Sequence, residues 1–309
     1  ISMTGAPAES YAEEMKIAAD LANWPENWHP RGESGDGPIK RGMGLGIHTW
    51  GGRGHQSNCE VVIHPDGTVE TRLGSQDLGT GTRTVIATVL AETFGLNVDD
   101  VVVRIGDSRF PASGASGGST TVGGVSSSSR RGALLAREQL FNRVAPELEA
   151  DPGELEAIAG RIQVKDDPSR YMSWKRATSM LGLNPISVSG QNPGPGNLID
   201  SGVAGVQIAD VSVDVETGVL RINKMIAVQD CGLIIDMKTA RSQVYGGLIM
   251  GIAYSLAEER VMDPVSGRML NADMEFYKLP GIGDVGELVI HMMTGPGYDE
   301  RGVIGLGEP

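Results

Sequence analysis

The stretch that decides the fold is CEVVIHPDGTVETRLGSQDLGTGTRTVIATVLAETF (Cys59–Phe94). Cys59 to Ile63 and Thr68 to Leu73 have the β-branched, alternating character of strands, and His64-Pro65-Asp66-Gly67 between them is a hairpin turn. Gly74 to Gly81 is a polar, glycine-rich turn, after which a helix is predicted from Thr82 to Phe94, stopped by Gly95. The same order returns later. Val203 to Val215 and Val219 to Val228 flank Glu216-Thr217-Gly218; Gln229-Asp230-Cys231-Gly232 follows, then a predicted helix from Thr239 to Glu259. Gln-Asp-x-Gly thus stands between hairpin and helix twice, which points to a structural duplication. The alternative is that strand-to-helix turns favour Asp and Gly anyway. Hairpins followed by single helices predict an α+β fold of hairpin-rich mixed sheets with packed helices and two similar subdomains, not a doubly wound parallel sheet.

Outward from this core, Ser10 to Leu21 reads as a short amphipathic helix and Trp24 to Pro38 as a linker. A strand starts at Arg41, with Gly42, Gly44 and Gly46 on one face, where another backbone or a ligand can come close. Val101 to Ile105 is a short apolar strand; Ser113 to Ser129 reads as a Gly/Ser/Thr-rich loop before a helix from Arg130 to Leu148. Asp151 to Gly182 reads as a small helical or mixed insert. Val285 to Met292 is a late strand, and Gly302 to Pro309 a glycine-rich terminal loop. Asn192-Pro-Gly-Pro-Gly196 is the best internal boundary. The expected division is an N-terminal helix and linker (1–40), a first subdomain (41–190) and a second (191–309).

Composition narrows the function. The 309 residues carry 26 Lys plus Arg against 39 Asp plus Glu, a net charge of −13, which argues against nucleic acid or an anionic membrane as a partner. Glycine, at 44 residues, is about twice its usual share and has no collagen period. Two cysteines, Cys59 and Cys231, are too few for a disulfide scaffold or a four-Cys metal cluster. The longest apolar run, Gly246 to Ala257, is too short to span a bilayer. Without a visible signal peptide the chain reads as cytoplasmic, with co-export to the periplasm beside a partner as the alternative. Both ends read as cut from something longer.

Several local patterns carry chemistry. Gly79-Thr80-Gly81 ends a turn and opens a helix, where free amides can meet an anion; it is neither a P-loop nor a dinucleotide fingerprint. Ser116-Gly117-Gly118-Ser119-Thr120-Thr121 offers hydroxyls and amides before another helix. Gly114 to Gly118 also fits Gly-x-Ser-x-Gly, so a serine hydrolase using Ser116 is a remote alternative, but no strand runs directly into that Ser. His48, His55 and Cys59 match no familiar zinc spacing. Cys231 reads as a buried small residue more readily than as a nucleophile. Glu308 ends the apolar loop Gly302 to Pro309; a carboxylate held there has a raised pKa and suits a general base, the alternative being an exposed Glu.

Taken together, the segments resemble the C-terminal half of the molybdenum-binding subunit of the xanthine dehydrogenase/aldehyde oxidase family of molybdenum hydroxylases. The resemblance runs from Arg41 to Pro309. Its pieces are Gly74 to Thr84, Ile105 to Ser108, Ser116 to Thr121, Asp230-Cys231-Gly232, Ser242-Gln243 with Gly246-Gly247, and Gly305 to Pro309. It implies a molybdopterin cofactor, in bacteria usually the cytosine dinucleotide, whose dithiolene holds the molybdenum so that no side chain ligates it directly. Glu308 matches the family's active-site base, and Gly305, Leu306 and Gly307 the loop beside it. Gln243 matches a cofactor-contacting Gln. Leu233, Ile234, Ile235, Asp236, Met237, Lys238 and Thr239 match the lining of the nucleotide or pyrophosphate. Gly79, Thr80 and Gly81 match the Gly-x-Gly turn near the dithiolene, and Gly117, Gly118, Ser119 and Thr120 the segment beside molybdenum and pterin. Thr80 stands where the family often has Gln, Asp236-Met237 where Asn-Pro is common, and Met250 where Gln often precedes Gly.

What the resemblance implies is hydroxylation of a small molecule, an aldehyde or N-heterocycle, with oxygen derived from water. Electrons would leave through 2Fe-2S centres on an iron–sulfur subunit and, in some assemblies, a FAD subunit. The family's long N-terminal half has no counterpart here, so that half, on the same or a separate chain, is a further implied partner. The competing reading is a non-catalytic scaffold or degenerate paralogue that keeps the fold.

Overall fold

The structure, a computed structural model, describes residues 8–194 and 202–306. Helices α1 (Ala8–Ala22) and α2 (Trp24–Asn27) precede β1 (Ile39–Trp50). Then come β2 (Ser57–Ile63), β3 (Val69–Leu73), α3 (Thr82–Phe94), β4 (Val101–Ile105) and the long α4 (Thr121–Val144). A meander of β5 (Leu155–Ile158), β6 (Arg161–Val164) and β7 (Asp167–Ser173), with α5 (Trp174–Ser179), leads to β8 (Ile186–Asn192). The chain continues through β9 (Val203–Asp214), β10 (Leu220–Asp230), α6 (Met237–Leu256) and β11 (Glu287–Met292).

Two four-stranded sheets share one plan. In the first, ordered β4-β3-β2-β8, the β2–β3 hairpin is antiparallel, α3 crosses to a parallel β4, and β8 lies antiparallel to β2. In the second, ordered β1-β9-β10-β11, the β9–β10 hairpin is antiparallel, α6 precedes a parallel β11, and β1 lies antiparallel to β9. The fourth strand comes last in one unit and first in the other. All but the first two residues of β1 fall within 41–190 by sequence, yet the strand pairs with β9 from Ile39↔Asp214 to Trp50↔Val203. The repeated Gln-Asp-x-Gly forms the same local turn in both places: Asp77 Oδ1 accepts from Gly79 N at 3.0 Å and Asp230 Oδ1 from Gly232 N at 2.8 Å. The mixed helix and sheet content and these open sheets agree with the α+β expectation.

The segment 151–182 is the mixed form of the expected insert, a three-stranded antiparallel meander ending in α5. One local expectation changes. The stretch read as a loop from Ser113 to Ser129 is half helix, since α4 begins at Thr121. Glycine and serine are weak helix formers in isolation, but tertiary packing overrides propensity. Here Ser126, Ser128 and Ser129 are buried, and Ser128 Oγ lies 3.1 Å from both Val125 O and Ser57 Oγ. Small side chains let α4 lie close against β2 and β8.

Apolar alternation builds the cores. Ile63, Leu73, Ile86, Leu90, Phe94 and Leu140 are fully buried between the first sheet, α3 and α4, and Phe94 packs on Trp174 with ring centroids 5.5 Å apart. Alternate residues of β10 face opposite sides: Ile226 and Val228 pack with Tyr11, Ala18 and Ala22 of α1, whereas Ala227 packs with Val244 and Leu248 of α6. Thus α1 and α6 cover opposite faces of the second sheet.

One charged residue breaks the apolar face of α1. Glu14 is fully buried and neither of its carboxyl oxygens has a hydrogen-bond partner. Burial, and secondarily the neighbouring Asp230 carboxylate, raise its pKa to about 8 against the opposing attraction of Arg301. The unfolded carboxyl titrates near its ordinary 4.5. Below that value both states hold the proton and folding pays nothing for it. Between 4.5 and about 8 unfolding releases the proton, so stability falls as pH rises, by on the order of 3–5 kcal/mol in total, and is level above. Urea unfolding of Glu14→Gln should therefore match wild type at pH 4.5 and exceed it in midpoint at pH 9. Parallel profiles for the two proteins would refute this placement of Glu14.

Candidate functional site

Where β3 and β10 give way to their turns, the two units face one another across a cavity of about 300 Å³. Its walls come from four segments distant in sequence. The first turn contributes Leu78 and Thr80 with Thr82 and Val85 of α3, and the segment before α4 contributes Ser116, Gly117 and Ser119 with Thr121 and Val122 of α4. Beyond β10 lie Cys231, Leu233, Ile234, Ile235 and Asp236, then Thr239, Ala240 and Gln243 of α6; Val303, Ile304 and Leu306 close the space. The N-terminal ends of α3, α4 and α6 all border this one cavity.

Close backbone approach brings these segments together. Gly305 N donates to Gly52 O at 2.7 Å, and a Cβ on Gly305 would overlap the Ser119 carbonyl oxygen. Ser119 itself has φ 57, in the left-handed region. Gly81, with φ +85, caps α3 and lies against Thr239 of α6; an added Cβ there would stand 2.6 Å from Thr239 Cγ2. Residues 302–304 run beside the end of β10: Leu233 N donates to Gly302 O at 2.8 Å and Ile304 N to Cys231 O at 3.2 Å.

The electrostatics are those of backbone dipoles. The described residues of the wall include no Lys or Arg. The cap residues of α3 and α4, Gly81 and Thr120, place no side chain on their helix amides, whereas Asp236 caps α6 by accepting from Thr239 N at 2.7 Å. Helix N-termini carry partial positive charge and unpaired amides, the features that hold anions. Hydroxyls of Thr80, Thr82, Ser116, Ser119, Thr121 and Thr239 supply further polar groups. The Asp77 carboxyl sits behind the first turn. Burial works against its ionisation, but amides of Arg83, Gly79 and Gly81 outweigh that and hold its pKa below the usual range.

Of the residues singled out by sequence, Thr80, Gly117, Ser119, Leu233, Ile234, Ile235, Asp236, Thr239, Gln243 and Leu306 line the cavity together. Gly79, Gly81, Gly118, Thr120, Met237, Lys238 and Gly305 neighbour them in the chain without lining it. Gly307 and Glu308 lie outside the described residues. Leu78, Thr82, Val85, Val122, Ala240, Val303 and Ile304 also line it and were not singled out, and Val122 was hidden by reading the first turns of α4 as loop. Thr120, a residue type favoured at helix starts, was the available signal there.

Two other readings find no support. Ser116 Oγ donates to Gln76 Oε1 at 2.8 Å, and an amide cannot act as the base a serine nucleophile needs. Cys231 has its thiol pushed up to about 12 by burial, with Asp230 adding to it, so it is a neutral wall group. Among the described residues no group of three or more His, Cys, Asp and Glu could hold a metal ion, and His48, His55 and Cys59 form no such set.

The family model of the molybdopterin cofactor-binding domain matches residues 17–286. The chain is 30% identical over 273 residues to the aldehyde oxidoreductase molybdenum-binding subunit PaoC of Escherichia coli, covering 88% of this chain and 36% of that protein. It is 26% identical over 275 residues to the carbon monoxide dehydrogenase large chain of Afipia carboxidovorans, covering 79% of this chain and 32% of the relative. The chain thus spans about a third of the length of these relatives. Its fold is that of quinoline 2-oxidoreductase from Pseudomonas putida, with TM-score 0.83 at 20% identity over 98% of this chain and 41% of that one. With more than half its length matched and the same fold around the cavity, the chain belongs to the molybdopterin cofactor-binding domain family.

Proposed function

We propose that this chain is the cofactor-holding portion of a molybdenum hydroxylase, an oxidoreductase that hydroxylates an aldehyde or N-heterocycle with oxygen derived from water. The observation that carries this reading is that three helix N-termini border one cavity whose described lining has no basic side chain. A phosphate-bearing pterin is anionic and rich in hydrogen-bond acceptors. The α4 end, whose cap residue places no side chain on its amides, several hydroxyls and close glycine contacts around the cavity fit such a group, while Asp77 holds the first-turn amide of Arg83 in α3. Asp236, the one carboxylate among the described wall residues, accepts from an amide of its own helix and is thereby partly neutralised toward an anion.

In this reading the turn at Gly79, Thr80 and Gly81 and the segment Gly117 to Thr120 hold the pterin side of the cofactor. The stretch Leu233 to Thr239 holds its phosphate or nucleotide, and Gln243 donates its side-chain amide. The bound cofactor supplies a metal centre that accepts two electrons. The chain's own residues position it, exclude water with Leu78, Val85, Ile234 and Ile304, and manage a proton. Glu308 accepts that proton at its carboxylate, with Gly305, Leu306 and Gly307 setting its approach. We take the cofactor as the cytosine dinucleotide form.

The remainder of the longer subunit, on the same or a separate chain, completes the substrate pocket. Relatives are named as subunits and chains of larger enzymes, including a 6-hydroxypseudooxynicotine dehydrogenase complex from Paenarthrobacter nicotinovorans. Both cysteines of this chain are buried and on different elements, so an iron–sulfur centre belongs on a partner, with FAD on another. No described helix is long and apolar enough to cross a membrane, and we place the assembly in the cytoplasm.

Elemental and nucleotide analysis of the protein purified with its natural partner chains tests this directly. Stoichiometric molybdenum with released cytosine nucleotide is expected; absence of both from an intact complex would leave the non-catalytic scaffold in its place. Glu308→Gln should keep molybdenum and lower turnover by about 10²–10⁴-fold, the usual worth of a positioned proton acceptor; unchanged turnover would remove Glu308 from that role. Gly305→Ala, which forces Ser119 away, should lower molybdenum content while the chain stays folded by circular dichroism.

A further inference from the structure

Behind the cavity, Asp230 and Arg301 form an ion pair with almost no access to solvent: Asp230 is fully buried and the Arg301 side chain is 9% exposed. Arg301 Nη1 donates to Asp230 Oδ2, and Nη2 donates to Gly202 O at 2.8 Å. The other Asp230 oxygen accepts from Gly232 N. These two residues stand at the roots of two adjacent cavity walls. Asp230 is the last residue of β10 and leads into Cys231 to Asp236; Arg301 ends a short helical turn and leads into Gly302 to Leu306. Between the walls run the bonds Leu233 N to Gly302 O and Ile304 N to Cys231 O, with an isolated bridge at Gly232↔Val303. The ion pair closes the end of this small ladder.

Burial makes the pair strongly directional. A buried ion pair gains little net stability, because desolvation offsets the attraction, but separating the partners leaves an uncompensated charge and is costly. The pair therefore penalises any register other than the one observed. The Arg301 backbone is held in place as well, since its N–H donates to Tyr298 O at 3.1 Å and Tyr298 Oη donates to Glu13 of α1 at 2.7 Å.

We propose that Arg301 and Asp230 are positioning residues that set the register and spacing of segments 302–306 and 231–236, and so the shape of the cavity between them. The register itself does not depend on what the cavity holds; its consequence for cofactor retention rests on the function proposed above.

Hydrogen–deuterium exchange on the complete chain tests this. Single loss of Arg301 strands a buried carboxylate, so the informative variant is the uncharged double substitution Asp230→Asn with Arg301→Gln, compared with Arg301→Lys alone. In the folded double variant the amides of Leu233, Ile304 and Gly305 should exchange about ten-fold faster or more, while those of Val61 and Leu90 in the other unit stay unchanged. Arg301→Lys, which keeps the charge opposite Asp230, should recover most of that protection. Molybdenum content of the purified complex should fall in the double variant and recover with Lys. Wild-type exchange at these three amides in a folded double variant would overturn the proposal, as would equal acceleration throughout the chain or a Lys variant no better than the double. If wild-type protein holds no molybdenum but the local exchange pattern appears, the cofactor reading fails and the positioning role stands.

Discussion

Three helix N-termini aimed at one cavity are the constraint on which the rest of this structure depends. Each such end carries about half a positive charge, offset at α3 and α6 by the carboxylates of Asp77 and Asp236 on their first-turn amides, and no lysine or arginine stands among the described wall residues. Bringing three helix ends within reach of one ligand demands short connections and close backbone contact. The contacts of Gly81 with Thr239 and of Gly305 with Ser119 meet that demand. Glycine is required at these two positions, because a Cβ there would push the walls apart.

The choice of backbone dipoles over side-chain cations has a physical consequence. The chain is strongly acidic, with a net charge of −13, and at long range it repels anions. A site built from oriented amides acts only at close range and needs no flexible charged side chain. It also leaves most of the wall apolar, as Val85, Ile234, Val303 and Ile304 show. Binding in such a place is selective for a ligand that fits closely. The fixed walls become as important as the donors, which is why the buried ion pair behind them matters.

Much of this was legible because the governing chemistry is local. The Asp-x-Gly turns at Asp77 and Asp230 are set by side-chain to backbone bonds spanning two residues, and both formed where the pattern stood. The hairpins around Asp66-Gly67 and Thr217-Gly218 are local in the same sense. The start of α4 was hidden, because Gly123 and Gly124 pack on Gly54 and His55, and buried Ser128 on Ser57 of β2 and Gly190 of β8, contacts that lie far away in sequence. The pairing of β1 with β9, across a whole intervening unit, left no local mark. Glu14 sits on the apolar face of α1 with Tyr11 and Ala18, but the groups that give this sense, Asp230 and Arg301, lie at the other end of the chain. Arg301 likewise reads as one more charge in Asp-Glu-Arg. Long-range burial, not residue type, separates it from its neighbours.

The most direct test of the account is a crystal structure of the cofactor-loaded assembly with anomalous data at the molybdenum edge. The account predicts a single molybdenum peak beside the cavity, with the pterin and phosphate groups against the N-termini of α3, α4 and α6. A fully occupied molybdenum site elsewhere, with these three helix ends facing only solvent or protein, would contradict it.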